Sequence, residues 1–311
     1  MVIEITDGCY MEIINFKGKA QPDPYIIKDE GFFYIYCTGT DGIYCYKSER
    51  LSSDWQYVGM VLSVEGQTAY WAPSVIKVDG KFYMYYSSVS IAETKPHMQR
   101  IKVAVSDTPC GKFDFVKDLL PPFSIDAHVV ENETGMYIFY SVNDYEAVKA
   151  GTYIVVDKMI DPFTVKGEPK AVVKPTIEEE IFAKDRFKKG QDWFTIEGAF
   201  YFKKDGVHYC IYSANSYLKP TYHLGYAYSE EQSDELNKIT FVKNSPDKYS
   251  PLLCSNDKEI STGHCSMIED NGEMYLVYHG RDVNSDLSAD DRTARICKLI
   301  VKNKKLFVTE R

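Results

Sequence analysis

Nowhere does the sequence run to about 18 apolar residues, which excludes a helical membrane span. The opening MVIEITDGCY is acidic and lacks a basic segment leading into an apolar one, so no secretory signal is read. A cytoplasmic protein is expected, acting on imported material. Basic charge is also short: 36 Lys+Arg face 45 Asp+Glu, a formal net charge of −9. Such a balance repels phosphate backbones, and no nucleic-acid or membrane partner is expected. The eight cysteines (Cys9, Cys37, Cys45, Cys110, Cys210, Cys254, Cys265, Cys297) contain no CxxC pair and no regular spacing. They read as scattered, mostly buried thiols in a reducing compartment, with no Cys/His set spaced for zinc. Helical periodicity is nearly missing too. Tryptophan is scarce at 3, whereas 25 Tyr and 16 Phe lean the composition toward pleated, half-buried surfaces.

What is present is a repeat. Five segments share a special residue, an apolar stretch, a turn with glycine and then alternating aromatics: DPYIIKDEGFFYIYCT from Asp23, WAPSVIKVDGKFYMYYSS from Trp71, DAHVVENETGMYIFYS from Asp126, EGAFYFKKDGVHYCIYSA from Glu197 and GHCSMIEDNGEMYLVYHG from Gly263. Asp79-Gly80, Asp205-Gly206 and Asn271-Gly272 are strong hairpin signals. Counted back from the turn glycine, Asp23, Trp71, Asp126, Glu197 and His264 lie 8, 9, 9, 9 and 8 residues upstream. They are read as one equivalent position at the start of each inner strand. Five units of four short strands predict an all-β, five-bladed β-propeller spanning residues 1–311 as a single domain. The five leading residues then converge at one mouth of the channel. The acidic stretch Glu178–Lys189 is expected to hold one helical turn or an exposed loop, with Glu178, Glu179 and Glu180 on a solvated face.

Asp23-Pro24, Trp71-Ala72-Pro73, Asp126-Ala127, Glu197-Gly198 and Gly263-His264, in that order, resemble the inverting glycosidases of glycoside hydrolase family 43. The resemblance covers roughly residues 20 to 300 and includes Tyr226-Ala227-Tyr228-Ser229. It implies that Asp23 is the general base, Glu197 the general acid, and Asp126 the residue that tunes and orients that acid. It further implies an axial histidine, His264, near a metal ion or water cluster, and a sugar-binding arginine, Arg292, with Arg295 fitting nearly as well. Ala199 departs from the proline that more often follows Glu-Gly in the family.

The residue types suit the chemistry independently. Inversion needs a protonated carboxyl for the leaving oxygen and an ionised one to deprotonate water on the opposite face, about 6.5–9.5 Å away. A third carboxylate beside the acid raises its pKa by like-charge repulsion. Trp71 offers an indole face to a sugar, with Tyr25 and Trp193 as weaker candidates, and the remaining tyrosines are assigned to inter-blade packing. Cys265 is discounted as a partner of His264, because neighbours on a strand point to opposite faces. The reading is therefore an inverting, exo-acting glycosidase on small plant-derived oligosaccharides, first an α-L-arabinofuranosidase and alternatively a β-xylosidase. No cofactor is required; a calcium or other hard cation at the axis would be held by His264 mainly through waters. A non-catalytic glycan-binding propeller is disfavoured by the three carboxylates, and a sugar phosphorylase by the lack of a basic phosphate pocket. Oligomeric state is not legible.

Overall fold

The computed structural model describes residues 11–12, 20–95 and 97–309, so Cys9 and the first ten residues lie outside the described residues. Each repeat folds into an antiparallel blade, and five blades form a β-propeller. The first blade is Tyr25–Asp29, Phe32–Cys37, Ile43–Ser48 and Gln56–Leu62, and the second Gln67–Val78, Lys81–Ser90, Arg100–Ser106 and Asp114–Asp118. The third is Ile125–Asn132, Gly135–Asp144 and Gly151–Asp161, with short outer strands Thr164–Val165 and Lys170–Val173. The fourth is Gln191–Lys204, Val207–Ala214, His223–Ser229 and Val242–Lys243, and the fifth Glu259–Asp270, Glu273–Asp282, Thr293–Lys302 and Lys305–Val308. Met11–Glu12 pairs with Thr293–Lys302, which ties the N-terminal strand into the last blade and closes the ring. A short parallel pairing of Gly151 with Phe194 and Thr152 with Thr195 bridges the third and fourth blades.

The first hairpins follow from turn chemistry. Glu30-Gly31, Asp79-Gly80, Asp205-Gly206 and Asn271-Gly272 all have positive φ at both residues, the two-residue turn whose twist matches that of its strands. The aromatic alternation then fills the seams between blades. Apolar clusters lie at each junction: Tyr36, Val75 and Met84 between blades one and two; Tyr85, Ile138 and Val155 between two and three; Phe139, Ile196 and Cys210 between three and four; Tyr209, Leu276 and Cys297 between four and five. Ile35, Tyr46, Val277 and Ile296 join blade five to blade one, so the ring closes by the same kind of burial. No helix among the described residues is long and apolar enough to cross a membrane.

The stretch expected to hold one helical turn does so, with Glu178 and Glu179 exposed as read from sequence, and departs from that reading at Glu180. Glu178–Glu180 is a 3₁₀ turn, and Ile181–Lys188 continues as a strand folded back on Gln191–Lys204. Glu180 is not on a solvated face: it is 1% exposed, pairs with Lys243 at 2.5 Å, and accepts the Thr176 N–H at 2.7 Å. A buried carboxylate needs such partners, and its cation comes from a strand 63 residues away.

Candidate active site

The inner strands carry a shared irregularity that builds the site. Pro22, Trp71, Ile125, Glu197 and Gly263 lie opposite Thr38, Ser87, Ser141, Ser213 and His279 of the second strands. The next residue in each blade is a bulge in the left-handed region: Asp23 (φ 53°), Ala72 (44°), Asp126 (57°), Gly198 (63°) and His264 (48°). Asp tolerates that conformation better than most residues. At Gly198 a side chain would also crowd His264 Nδ1 and Ser213 Oγ, both 3.2 Å from a built Cβ. The five leading residues are therefore not one equivalent position. Asp23, Asp126 and His264 are bulge residues, whereas Trp71 and Glu197 precede the bulge. An unequal turn in the third blade hid this from simple counting.

The bulge amides are held by side chains across blade boundaries. Ala72 N–H donates to Thr38 Oγ1 (2.8 Å), His264 N–H to Ser213 Oγ (2.7 Å) and Asp23 N–H to His279 Nδ1 (3.2 Å). In each case the acceptor stands at the end of the preceding blade's second strand. Those residues, in YCT, YSA and YHG of the repeats, were legible as a recurring motif and were missed as site-forming groups.

A cavity of about 790 Å³ opens at this mouth, lined by Asp23, Trp71, Asp126, Glu197, His264 and Arg292. Six of the seven residues assigned to the site from sequence thus meet at one place. Trp71 is 38% exposed there, an indole face open to a ligand. Tyr25 does not line the cavity; its hydroxyl bonds His128 Nδ1 (3.1 Å) and its ring packs near Phe200, so it serves the interior. Trp193 is likewise buried, against Phe187, Tyr145 and His97. Arg295 is taken up by Glu259 (3.0 Å) and Asp282 (2.9 Å), which leaves Arg292 as the cavity-lining member of the pair.

Asp23 sits in the most polar corner. Its Oδ2 accepts the Thr38 hydroxyl (2.6 Å), while Oδ1 lies 3.4 Å from Arg292 Nη1, 3.5 Å from His264 Nδ1 and 3.3 Å from His279 Nδ1. Burial would raise this carboxyl, yet His264, Arg292 and His279 together hold it well below the usual carboxylate range. Burial pushes both imidazoles down, His279 to about 4, so at neutral pH the permanent cation of the set is Arg292. Asp290 fixes Arg292 by two bonds of 2.8 and 2.9 Å, and the guanidinium lies 4.6 Å from the Tyr217 ring centroid.

The other two carboxyls are shifted the opposite way. Glu197 is pushed up to about 7, by burial first and by Asp23; the Tyr222 hydroxyl, donating to Oε1 at 2.8 Å, pulls it back, as do Arg292 and Arg186. Asp126 is raised well above its ordinary value by burial, then by Glu197 and Asp23, against the Gly198 N–H that donates to its Oδ2 at 3.1 Å. Two such neighbours titrate as a unit, and the pair keeps a proton into the neutral range. The site therefore presents one firmly ionised carboxylate and one protonated carboxyl pair around a single cavity, which is the pairing that general acid–base chemistry needs. Tyr222, supplied by the loop before His223–Ser229, carried no repeat signal. Its ring stacks on His279 at 5.6 Å and fills the space over Gly263, where a Cβ would lie 2.1 Å from it.

Among the described residues no three His, Cys, Asp or Glu groups converge as direct metal ligands. His264 lines the cavity with its imidazole pushed down by burial.

Comparison with known proteins agrees with this architecture. The chain is 24% identical over 239 residues to an extracellular exo-α-(1→5)-L-arabinofuranosidase of Streptomyces avermitilis, covering 74% of this chain and 47% of that protein. It thus spans about half the length of that relative. It is 27% identical over 297 residues to a probable arabinan endo-1,5-α-L-arabinosidase C of Aspergillus flavus, covering 86% and 84%. A crystal structure of a thermostable family-43 glycoside hydrolase superposes with a TM-score of 0.78 at 29% identity, over 94% of this chain and 93% of that one. The family model for glycosyl hydrolases family 43 matches residues 16–304, so the chain belongs to that family.

Proposed function

We propose that this chain is an inverting, exo-acting glycosidase that releases α-L-arabinofuranosyl residues from small oligosaccharides. The observation that carries the reading is the opposite tuning of Asp23 and Glu197 around one cavity. Asp23, kept ionised beside Arg292, takes the proton of an attacking water. Glu197, protonated up to about pH 7, donates to the leaving oxygen. Asp126 shares its proton economy with Glu197 and anchors the bulge at Gly198, which sets the direction of the acid. Trp71 supplies a stacking face and Arg292 the polar contact at the sugar. A cavity of about 790 Å³ lies within the size range of small-ligand sites. A hard cation held through water on His264 would act electrostatically at the axis and is not routed through any of these steps.

The Aspergillus relative, matched over most of its length, supports an endo-acting reading as the second possibility. Release of 4-nitrophenol from the α-L-arabinofuranoside and β-D-xyloside, run side by side with linear arabinan, separates them. The proposal expects arabinofuranoside turnover and monosaccharide from arabinan. Xyloside turnover alone, or oligomers appearing before monosaccharide, would overturn the substrate or the exo assignment.

A further inference from the structure

The cavity contains three guanidinium groups, and they are not equivalent. Arg281 is met by Asp291 (2.8 Å), the Tyr217 carbonyl (2.8 Å) and Asp290 (3.8 Å), and Arg292 by Asp290 and Asp23. Their charge is already balanced by protein carboxylates. Arg186 also lines the cavity, yet among the described residues no carboxylate lies within ion-pair distance of it. Its guanidinium rests 4.3 Å from the Phe182 ring centroid and 5.2 Å from that of Phe187.

The local backbone explains why Arg186 projects. Between Ala183 opposite Trp193 and Lys188 opposite Gln191, the outer strand of this hairpin carries more residues than its partner and bulges outward. Asp185 enters the left-handed region within that bulge (φ 49°). The acids of this hairpin are engaged by the hairpin itself: Asp185 accepts the Gly190 N–H, and Asp192 accepts the Asp185 N–H at 3.2 Å. Arg186 is thus presented on an aromatic shelf with its charge unspent.

We propose that Arg186 binds a carboxylate on the leaving-group side of the substrate, that of a uronic acid unit next to the bond that is cleaved. The proposal rests on Glu197 being the acid, because the group protonated by Glu197 is the one that departs. Phe182 and Arg186 line the cavity together with Glu197, and Arg186 acts on Glu197 but not on Asp23, whereas Arg292 acts on both carboxyls. One unbalanced guanidinium matches one carboxylate, in the two-point geometry this group favours. A phosphate dianion would leave a charge uncompensated, since Arg281 and Arg292 are already neutralised. The formal net charge of −9 also disfavours a long polyanion and points to a single acidic unit in an otherwise neutral oligosaccharide.

The test uses a disaccharide in which the cleaved sugar is attached to galacturonic acid, and its methyl ester, which differ only in that charge. The intact enzyme is expected to show kcat/KM about tenfold higher for the acid, the size of a charge-assisted hydrogen bond, with the ratio shrinking as salt is added. Arg186→Gln should bring the acid/ester ratio to about one, and Arg186→Lys should leave it in between. Loss of a cation near Glu197 alters both substrates alike, so the ratio isolates recognition of the carboxylate. Equal kcat/KM for acid and ester in the intact enzyme, or a preference that survives Arg186→Gln, overturns the proposal while the glycosidase reading stands. No turnover of either disaccharide or of the aryl glycosides overturns that reading, and this proposal with it.

Discussion

Replacing Tyr222 with Phe removes one hydroxyl and leaves the ring that stacks on His279 and covers Gly263. The lost bond is the 2.8 Å donation to Glu197 Oε1, which favours the ionised form of that carboxyl. A hydrogen bond to a charged group is worth roughly 1.5–3 kcal/mol, and one pKa unit corresponds to about 1.4 kcal/mol. Deleting it should therefore raise the alkaline limb by about 1–2 pH units, from about 7 in the intact enzyme to about 8–9. The direction is fixed: removing a donor to the anion favours the protonated acid, so activity persists to higher pH even as the less well-held acid lowers the plateau. The assay is kcat/KM against pH on an unactivated disaccharide, because an aryl leaving group needs little protonation and would mask the limb. An alkaline limb that stays in place or moves to lower pH would refute the argument that Tyr222 tunes Glu197.

The same geometry sets the outcome of four further substitutions. Asp126→Asn replaces a carboxyl that is itself protonated while Glu197 titrates, so the alkaline limb should stay in place in the same assay, and a limb that moves to lower pH would mean that Asp126 is the ionised member of the pair. Because Asp126 is raised on folding, the native state retains a proton that the unfolded chain releases near pH 4; stability contributed by that proton is lost as pH rises, and the Asn variant should show a flatter Tm-versus-pH curve by differential scanning fluorimetry. Asp23→Asn should lower kcat at every pH on both aryl glycosides and disaccharides, while Glu197→Gln should spare the aryl substrate, as steady-state kinetics on the two would reveal. Gly263→Ala places a Cβ 2.1 Å from the Tyr222 ring and should cost at least about 1–3 kcal/mol of stability in urea denaturation, with Glu197 misdirected in what remains folded.

The blades were legible because their signals are local. Asp-Gly and Asn-Gly turns and aromatic alternation both act within a dozen residues, and both appear in the structure as hairpins and seam packing. The carboxylates were legible for a related reason: a repeat that returns an unusual residue to the same stretch of an inner strand aims it at the axis. What counting could not supply was register. A bulge places two residues opposite one, so Trp71 and Glu197 occupy a different position from Asp23, Asp126 and His264. Non-local partners were also hidden. Glu180 resembled a solvated run until Lys243 met it, Tyr25 turned to His128 and not to the cavity, and Tyr222 reached Glu197 from a loop without a repeat signature.

The central claim is that Asp23 and Glu197 act on opposite faces of one glycosidic bond with a water between them. The direct measurement is ¹H NMR of the sugar released from an α-L-arabinofuranoside in the first minutes, before mutarotation equilibrates the anomers. The account predicts that β-L-arabinofuranose appears first and the α form only later. Initial release of the α anomer would mean retention through a covalent intermediate, which would contradict the assignment of Asp23 as a base acting on water.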